Sequence, residues 1–416
     1  MPTLFSPTRQ ECMKRILYLL VFVMILQLAD AQFSKTLFDT YDVYKFNGIS
    51  SKRMKHAELM THLEALKQSL GTLVTIKQIG SSAEGRSINL LTLGSGKTKI
   101  FLWSQMHGDE PTATMALLDI LNYIALHKNS AEVKKILSET TLLMIPMLNP
   151  DGAERFQRRT SQGIDMNRDA LRLQTPEARI LKATRDTYNP EIGFNLHDQD
   201  PRYTVGENGT VAVISLLAPA FNVERSDNAV RLRAKKIASE LTLVLNQFVK
   251  GHIAKYDDTF EPRAFGDNIQ KWGTSTVLIE SGGWKDDPEK MFIRKLNCVG
   301  LLSVFYSIAT SAYEQTGTQP YENLPMNTKN LYDIIVEKVT LKFSDNRPSI
   351  VVDVAINKEE VKDSTGTYWK GRVVDLGDLS VFTAHEKING EGKILDANDF
   401  ELGDILKVDD VRKLLK

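Results

Sequence analysis

Apolar residues at Leu59, Leu63, Leu66 and Leu70 recur at a three-to-four spacing. The spacing predicts a helix over roughly Lys55 to Leu70, with Gly71 as its stop. Two short runs, Leu73 to Ile79 and Ser87 to Leu93, predict strands joined by the turn Ser81 to Gly85. A regular alternation then begins. Ile100 to Met106, Leu142 to Met147, Ile192 to Leu196, Val211 to Leu217 and Thr276 to Ile279 read as buried strands. Thr112 to Leu126, Pro176 to Thr187, Ser226 to Val249 and Pro288 to Ala309 read as helices between them. Thr175 is a natural cap for the second of these, with Pro176 at its first position. Strands that alternate with helices predict an α/β domain: a mixed, mostly parallel sheet with helices on both faces. Ligand sites in such sheets gather where strands end.

The pattern changes after Ser311. Thr316 to Asn327 is rich in Gly, Pro and polar residues and has no helical period, so 316–328 reads as a linker. Lys338 to Phe343, Ser349 to Ile356, Tyr368 to Leu376 and Lys393 to Leu395 are short strands between turns such as 344–346 and Asn389-Gly390. They predict a small β-rich, sandwich-like accessory domain over 329–416, after a main domain over 32–315.

The first residues carry an address. Lys14 and Arg15 precede the apolar run Ile16 to Leu28, and Ala29-Asp30-Ala31 follows. A charged region, a short apolar core and a small-x-small site form a secretory leader, with cleavage expected after Ala31. The run is short of the ~20 apolar residues of a membrane span. Export to the periplasm or the extracellular space is therefore expected, with no stable membrane insertion once the leader is removed. Cleavage would leave Cys298 as the mature chain's one cysteine. It sits in a helical pattern as a structural thiol, and no intramolecular disulfide is possible.

Charge narrows the function. Lys plus Arg total 52 and Asp plus Glu total 52 in 416 residues, so no global field favours nucleic acid or an anionic membrane. Oligomeric state is not legible.

Candidate chemistry lies at the strand ends. His107-Gly108-Asp109-Glu110 follows one buried strand, and its His and Glu can point a nitrogen and an oxygen at one centre. His197 closes a second strand, in Phe194-Asn195-Leu196-His197-Asp198. Glu280 closes a third, followed by Ser281-Gly282-Gly283. Zinc in catalytic sites takes three such protein ligands and leaves one position for water. A carboxylate is then needed to shuttle the water's proton. Asn149-Pro150-Asp151-Gly152 predicts a tight turn after Leu142 to Met147. Arg158-Arg159 and Gly163-Ile164-Asp165-Met166-Asn167-Arg168 supply planar donors suited to a carboxylate or a polarised carbonyl.

In their order and spacing, these pieces resemble the zinc carboxypeptidases of the carboxypeptidase A type, in a bacterial-type secreted form with a β-rich C-terminal domain. The resemblance covers roughly Lys55 to Ala309. It implies one Zn2+ per chain held by His107, Glu110 and His197, with Glu280 as catalytic carboxylate. It further implies that Asp165 holds the first ligand histidine and that Asn167 and Arg168 grip the substrate's terminal carboxylate. Arg158 matches the oxyanion arginine, with Arg159 one residue away as the alternative. Two departures stand out. Asp109 replaces an arginine common before the liganding glutamate. Tyr256 is the nearest candidate for the family's substrate-contacting tyrosine, at a spacing that does not quite match.

The function implied is removal of C-terminal residues from peptide substrates. A zinc-dependent deacylase of acylated amino acids, similar to aspartoacylase and succinylglutamate desuccinylase, is the alternative enzyme. A non-catalytic wall- or protein-binding relative is the alternative outside catalysis.

Overall fold

The computed structural model describes residues 32–49, 51–343, 347–363, 366–397 and 405–407. The expected leader, Cys12 and the predicted turn at 344–346 lie outside the described residues. Two compact units are present. One comprises the chain up to Gln199 together with Val213–Met326; the other comprises Asp200–Ala212 together with the chain from Asn327 onward.

The first unit opens on helical turns at 32–39 and Tyr41–Tyr44, followed by α1, His56–Leu70. The hairpin β1, Val74–Ser81, and β2, Ser87–Leu93, leads to β3, Thr98–Ser104, and α2, Thr112–Leu126. Next come α3, Ala131–Glu139, β4, Thr140–Ile145, and the short α4, Pro150–Arg155. After α5, Pro176–Tyr188, β5 runs Ile192–Asp198; β6, Tyr203–Val205, follows in the chain and belongs to the second unit. The first unit closes with β7, Ile214–Leu217, α6, Ala229–Leu245, β8, Ile253–Lys255, α7, Phe265–Lys271, β9, Ser275–Ser281, and α8, Met291–Thr310.

Eight strands form one sheet in the order β1-β2-β4-β3-β5-β9-β7-β8. β4, β3, β5 and β9 are mutually parallel, and β1, β2 and β7 supply the antiparallel pairings. Successive side chains leave a strand on opposite faces. Ile100 and Leu102 accordingly join the large core beneath α2, α6 and α8, while Phe101 and Trp103 join the smaller core beneath α5 and α7. Helices thus cover both faces, as the alternation predicts.

Several boundaries move. β3 ends at Ser104, because Gln105 turns with φ 53°, in the left-handed region. α3 was not legible because only Val133 and Ile136 are buried on its nine residues; Ser130 caps it by accepting from Val133 N–H. The Asn-Pro-Asp-Gly stretch is more than a tight turn. Asn149 accepts from Gly152 N–H and Pro150 takes the first helical position, so the motif is the capped start of α4. Val211 belongs to no named strand and bridges Thr204 instead.

A buried ion pair fastens this unit internally. Asp119 of α2 receives Nε and Nη2 of Arg294 on α8 at 2.7 and 2.5 Å, Tyr41 Oη at 2.6 Å and Phe46 N–H at 2.7 Å. Both charged side chains are buried.

In the second unit, β10, Asn327–Lys329, pairs with β6. β11, Leu331–Lys342, β12, Ile350–Asp363, and β13, Gly366–Gly377, are long antiparallel strands. β14, Thr383–Asn389, and β15, Ile394–Asp396, both run parallel to β11, and β16, Ile405–Lys407, pairs with β13. Ile334 and Val336 lie in one apolar cluster and Ile335 in another, so this sheet carries a cluster on each face.

Candidate metal centre and active site

β3, β5 and β9 are adjacent and parallel, so their C-terminal ends open on one side of the sheet. His107 lies just past β3, while His197 on β5 and Glu280 on β9 are direct cross-strand partners. Glu110 is in the turn before α2. His107, Glu110, His197 and Glu280 are all buried.

The carboxylate of Glu110 is shared between the two imidazoles. Its Oε1 lies 2.7 Å from His107 Nδ1 and its Oε2 2.7 Å from His197 Nδ1. One ligand atom from each of the three residues falls within 4.8 Å of the others. Nε2 of His107 faces Asp165 Oδ1 at 3.2 Å. A carboxylate there fixes the proton on Nε2 and leaves the Nδ1 lone pair for a cation. Two imidazole nitrogens and a carboxylate, with their lone pairs turned on one buried point, are the donor set of a catalytic zinc centre. The residues fit a single zinc ion.

The electrostatics follow from burial and neighbours. Burial opposes a charged imidazole at His107, but the carboxylates of Glu110 and Asp165 outweigh it and raise its pKa to about 9. Burial likewise works against the charged form of Glu110, yet the two histidines hold its carboxyl well below the usual range. Glu280 is the opposite case. Burial, then the nearby charge of Glu110, pushes its carboxyl far up, so it holds a proton readily.

Arg158 stands at the mouth. Its Nε and Nη2 donate to Asp165 Oδ2 at 3.1 and 3.0 Å, and its Nη1 lies 3.1 Å from His107 Nδ1 and 3.2 Å from Glu110 Oε1. Arg159 instead donates to the carbonyl of Gly163, so of the two arginines Arg158 is the one at the cluster. Asn167 is buried and spends its Oδ1 on Phe265 N–H, which ties it to the start of α7. Arg168 is part-exposed beside it, its Nε 3.3 Å from Glu261 Oε2.

Tyr256 stands apart. It follows β8, its N–H donates to Leu216 O, and the pairing of β8, β7 and β9 sets it two strands from Glu280, level with Leu278. Asp109 does not project as a free anion: its Oδ1 is buried with no hydrogen-bond partner among the described residues. Burial, then Glu110, raises its carboxyl.

Three supports escaped the sequence. Asn149 donates to the carbonyls of Met106, at 3.2 Å, and Arg158, at 3.4 Å, joining the backbones that carry the first ligand and the arginine. Asp198 accepts from Thr112 Oγ1 at 2.6 Å and Lys290 Nζ at 3.1 Å. Lys290 also donates to Ser281 O, so one ammonium clamps the ends of β5 and β9. Glu261 is the third. Position next to His197 was the only available hint for Asp198; Lys290 and Glu261 have none in the linear pattern.

Residues 59–200 match the family described as zinc carboxypeptidase. The chain is 28% identical over 149 residues to probable carboxypeptidase 2 of Arthroderma benhamiae, covering 35% of this chain and 28% of that protein. It is 34% identical over 98 residues to carboxypeptidase B of Astacus astacus, covering 23% of this chain and 32% of that one. The chain thus spans about a third or less of the curated relatives it matches. Among solved structures, a metallo-carboxypeptidase from Burkholderia cenocepacia is similar with TM-score 0.50 and 16% identity, over 61% of this chain and 69% of that one. Bovine thrombin-activatable fibrinolysis inhibitor, solved with tick carboxypeptidase inhibitor, is similar with TM-score 0.50 and 15% identity, over 63% and 98%. These structural likenesses establish the fold.

Proposed function

We propose that this chain, which carries a zinc carboxypeptidase domain over residues 59–200, hydrolyses peptide bonds and releases C-terminal residues from peptide substrates. The observation that carries the reading is the pairing of His197 with Glu280 on adjacent strand ends, beside the His107–Glu110 turn.

His107, Glu110 and His197 would hold the zinc ion. When bound there, zinc supplies Lewis acidity, lowering the pKa of water toward about 7 and polarising a carbonyl. Glu280 is the proton carrier. Its burial next to Glu110 raises its proton affinity, which suits a group that takes a proton and returns it to a departing amine. Arg158 offers its guanidinium to the oxyanion, and Asp165 steadies both that guanidinium and the His107 ring. Asn167 and Arg168 receive the substrate's terminal carboxylate.

The test compares Glu280→Gln and His197→Ala with the wild type for zinc content and for cleavage of peptides and acylated amino acids. Glu280→Gln is expected to keep its zinc and lose about 100-fold or more in kcat, and His197→Ala to lose the metal. Full activity in Glu280→Gln would overturn the reading. Cleavage confined to acylated amino acids would replace it with a deacylase.

A further inference from the structure

The carboxylate grip assigned above already holds a carboxylate from the chain itself. Arg168 is part-exposed and forms an ion pair with Glu261, its Nε 3.3 Å from Oε2. Its Nη1 is turned back onto the carbonyl of Asn167 at 2.8 Å, and its Nη2 has no partner among the described residues. Glu261 is held much more firmly on its other side. Arg263 donates Nε to its Oε1 and Nη2 to its Oε2, both at 3.0 Å, and the Arg263 N–H donates to Oε1 at 3.1 Å. The Glu261 backbone is fixed as well, its N–H donating to Asp267 Oδ1 at 3.0 Å. Glu261 therefore has a two-pronged partner that survives if the single contact to Arg168 is given up.

We infer that Glu261 is a specificity-determining residue of the proposed site: it is a resident anion on Arg168 that the carboxylate of a substrate or product must displace. The inference rests on the reading of Arg168 as the carboxylate grip. In the free protein Glu261 shares its one negative charge between Arg263 and the Arg168 guanidinium, which its own Nη1 holds beside Asn167. An arriving terminal carboxylate takes Nε and the unpartnered Nη2 as a two-pronged pair, while Glu261 stays with Arg263. After cleavage Glu261 returns and lowers the affinity for the released amino acid. A ligand without a terminal carboxylate does not compete with Glu261, so Glu261 limits the affinity for free C-termini and sets how far they are preferred over ligands that lack one.

Glu261→Gln removes the charge and keeps the side-chain shape. Dissociation constants are measured by calorimetry on zinc-loaded Glu280→Gln, with and without Glu261→Gln, so that binding is read without turnover. The probes are N-acetylated dipeptides differing in the last residue, each as free acid and as C-terminal amide. Part-exposed ion pairs of this kind are worth up to about fivefold in an equilibrium constant. The free acids are therefore expected to bind about two- to fivefold tighter when Glu261 is Gln, with the amides unchanged and the zinc content the same. Unchanged or weaker binding of the free acids, where the parent binds them, overturns the inference and leaves the peptidase reading standing. Free acids that bind neither protein overturn both. Glu261→Ala, which also frees Arg263, is the second variant, and it must shift the free acids in the same direction.

Discussion

Asp267 shows how a single side chain can make the stability of this protein depend on pH. Burial at the start of α7 raises its carboxyl to about 7, and Glu261 and Arg168 are the charges facing it. In the unfolded chain the same group titrates near 3.9. Between about pH 4 and pH 7 the folded protein keeps a proton that the unfolded chain has released, so stability falls as pH rises through that window. Asp267→Asn keeps an acceptor for Glu261 N–H and removes the titration. Its Tm is expected to match the wild type at pH 4 and to exceed it by a few degrees at pH 8; an equal difference at both pH values would refute the account. Individual side chains were also where the sequence was least even as a guide. His107, Glu110, His197 and Glu280 were legible because each ends or leaves an apolar run. Lys290 and Glu261 were not, because their partners lie 92 and 93 residues away along the chain, and Asn149 was read only as part of a tight turn because its bond to Met106 spans 43 residues.

Among the elements, the turns decide the centre as much as the strands. The His-Gly turn after β3 and the start of α4 touch backbone to backbone: a Cβ on Gly108 would fall 2.0 Å from the carbonyl carbon of Gly152 and 2.3 Å from Ala153 N. No flexible side chain is there to yield. Gly108→Ala is therefore expected to cost about 1–3 kcal/mol and to weaken zinc retention, because relief of the clash must move His107 or Asn149. Thermal unfolding and metal content of the purified variant would check this, and wild-type values for both would show that the turn has slack. Seven strands of the eight-stranded sheet and five long helices were placed to within a few residues, because each is an apolar run or carries a sustained apolar period. The short α3 and α4 were missed or misread. Helices of nine and six residues show at most about two and a half turns of pattern, and α4 is set by a cap rather than by any apolar stripe.

Over the whole molecule, the first unit depends on a charge buried in its core. Asp119 is fully buried and joins α2, α8 and the segment around Tyr41 to Phe46. Asp119→Ala would leave Arg294 as an uncompensated buried cation, at a cost of about 3–5 kcal/mol. Denaturant unfolding is expected to show that loss, with α1 and the preceding turns becoming protease-sensitive first; a change below about 1 kcal/mol would mean that water reaches the pair. The two-unit architecture was only partly legible. The β-rich tail stood out by composition, but the stretch Asp200–Ala212 reads as an ordinary loop until its strand Tyr203–Val205 is seen to pair with Asn327–Lys329. That pairing bears on how such a protein can be rebuilt or inherited. The tail is not a cassette that ends at one joint: one strand of its small two-stranded sheet, β6, begins six residues after the second histidine of the metal site. Exchange of tails between relatives by a single crossover near Met326 would strand β6 with an open edge, so recombination at this locus is expected to succeed only when both pieces travel together.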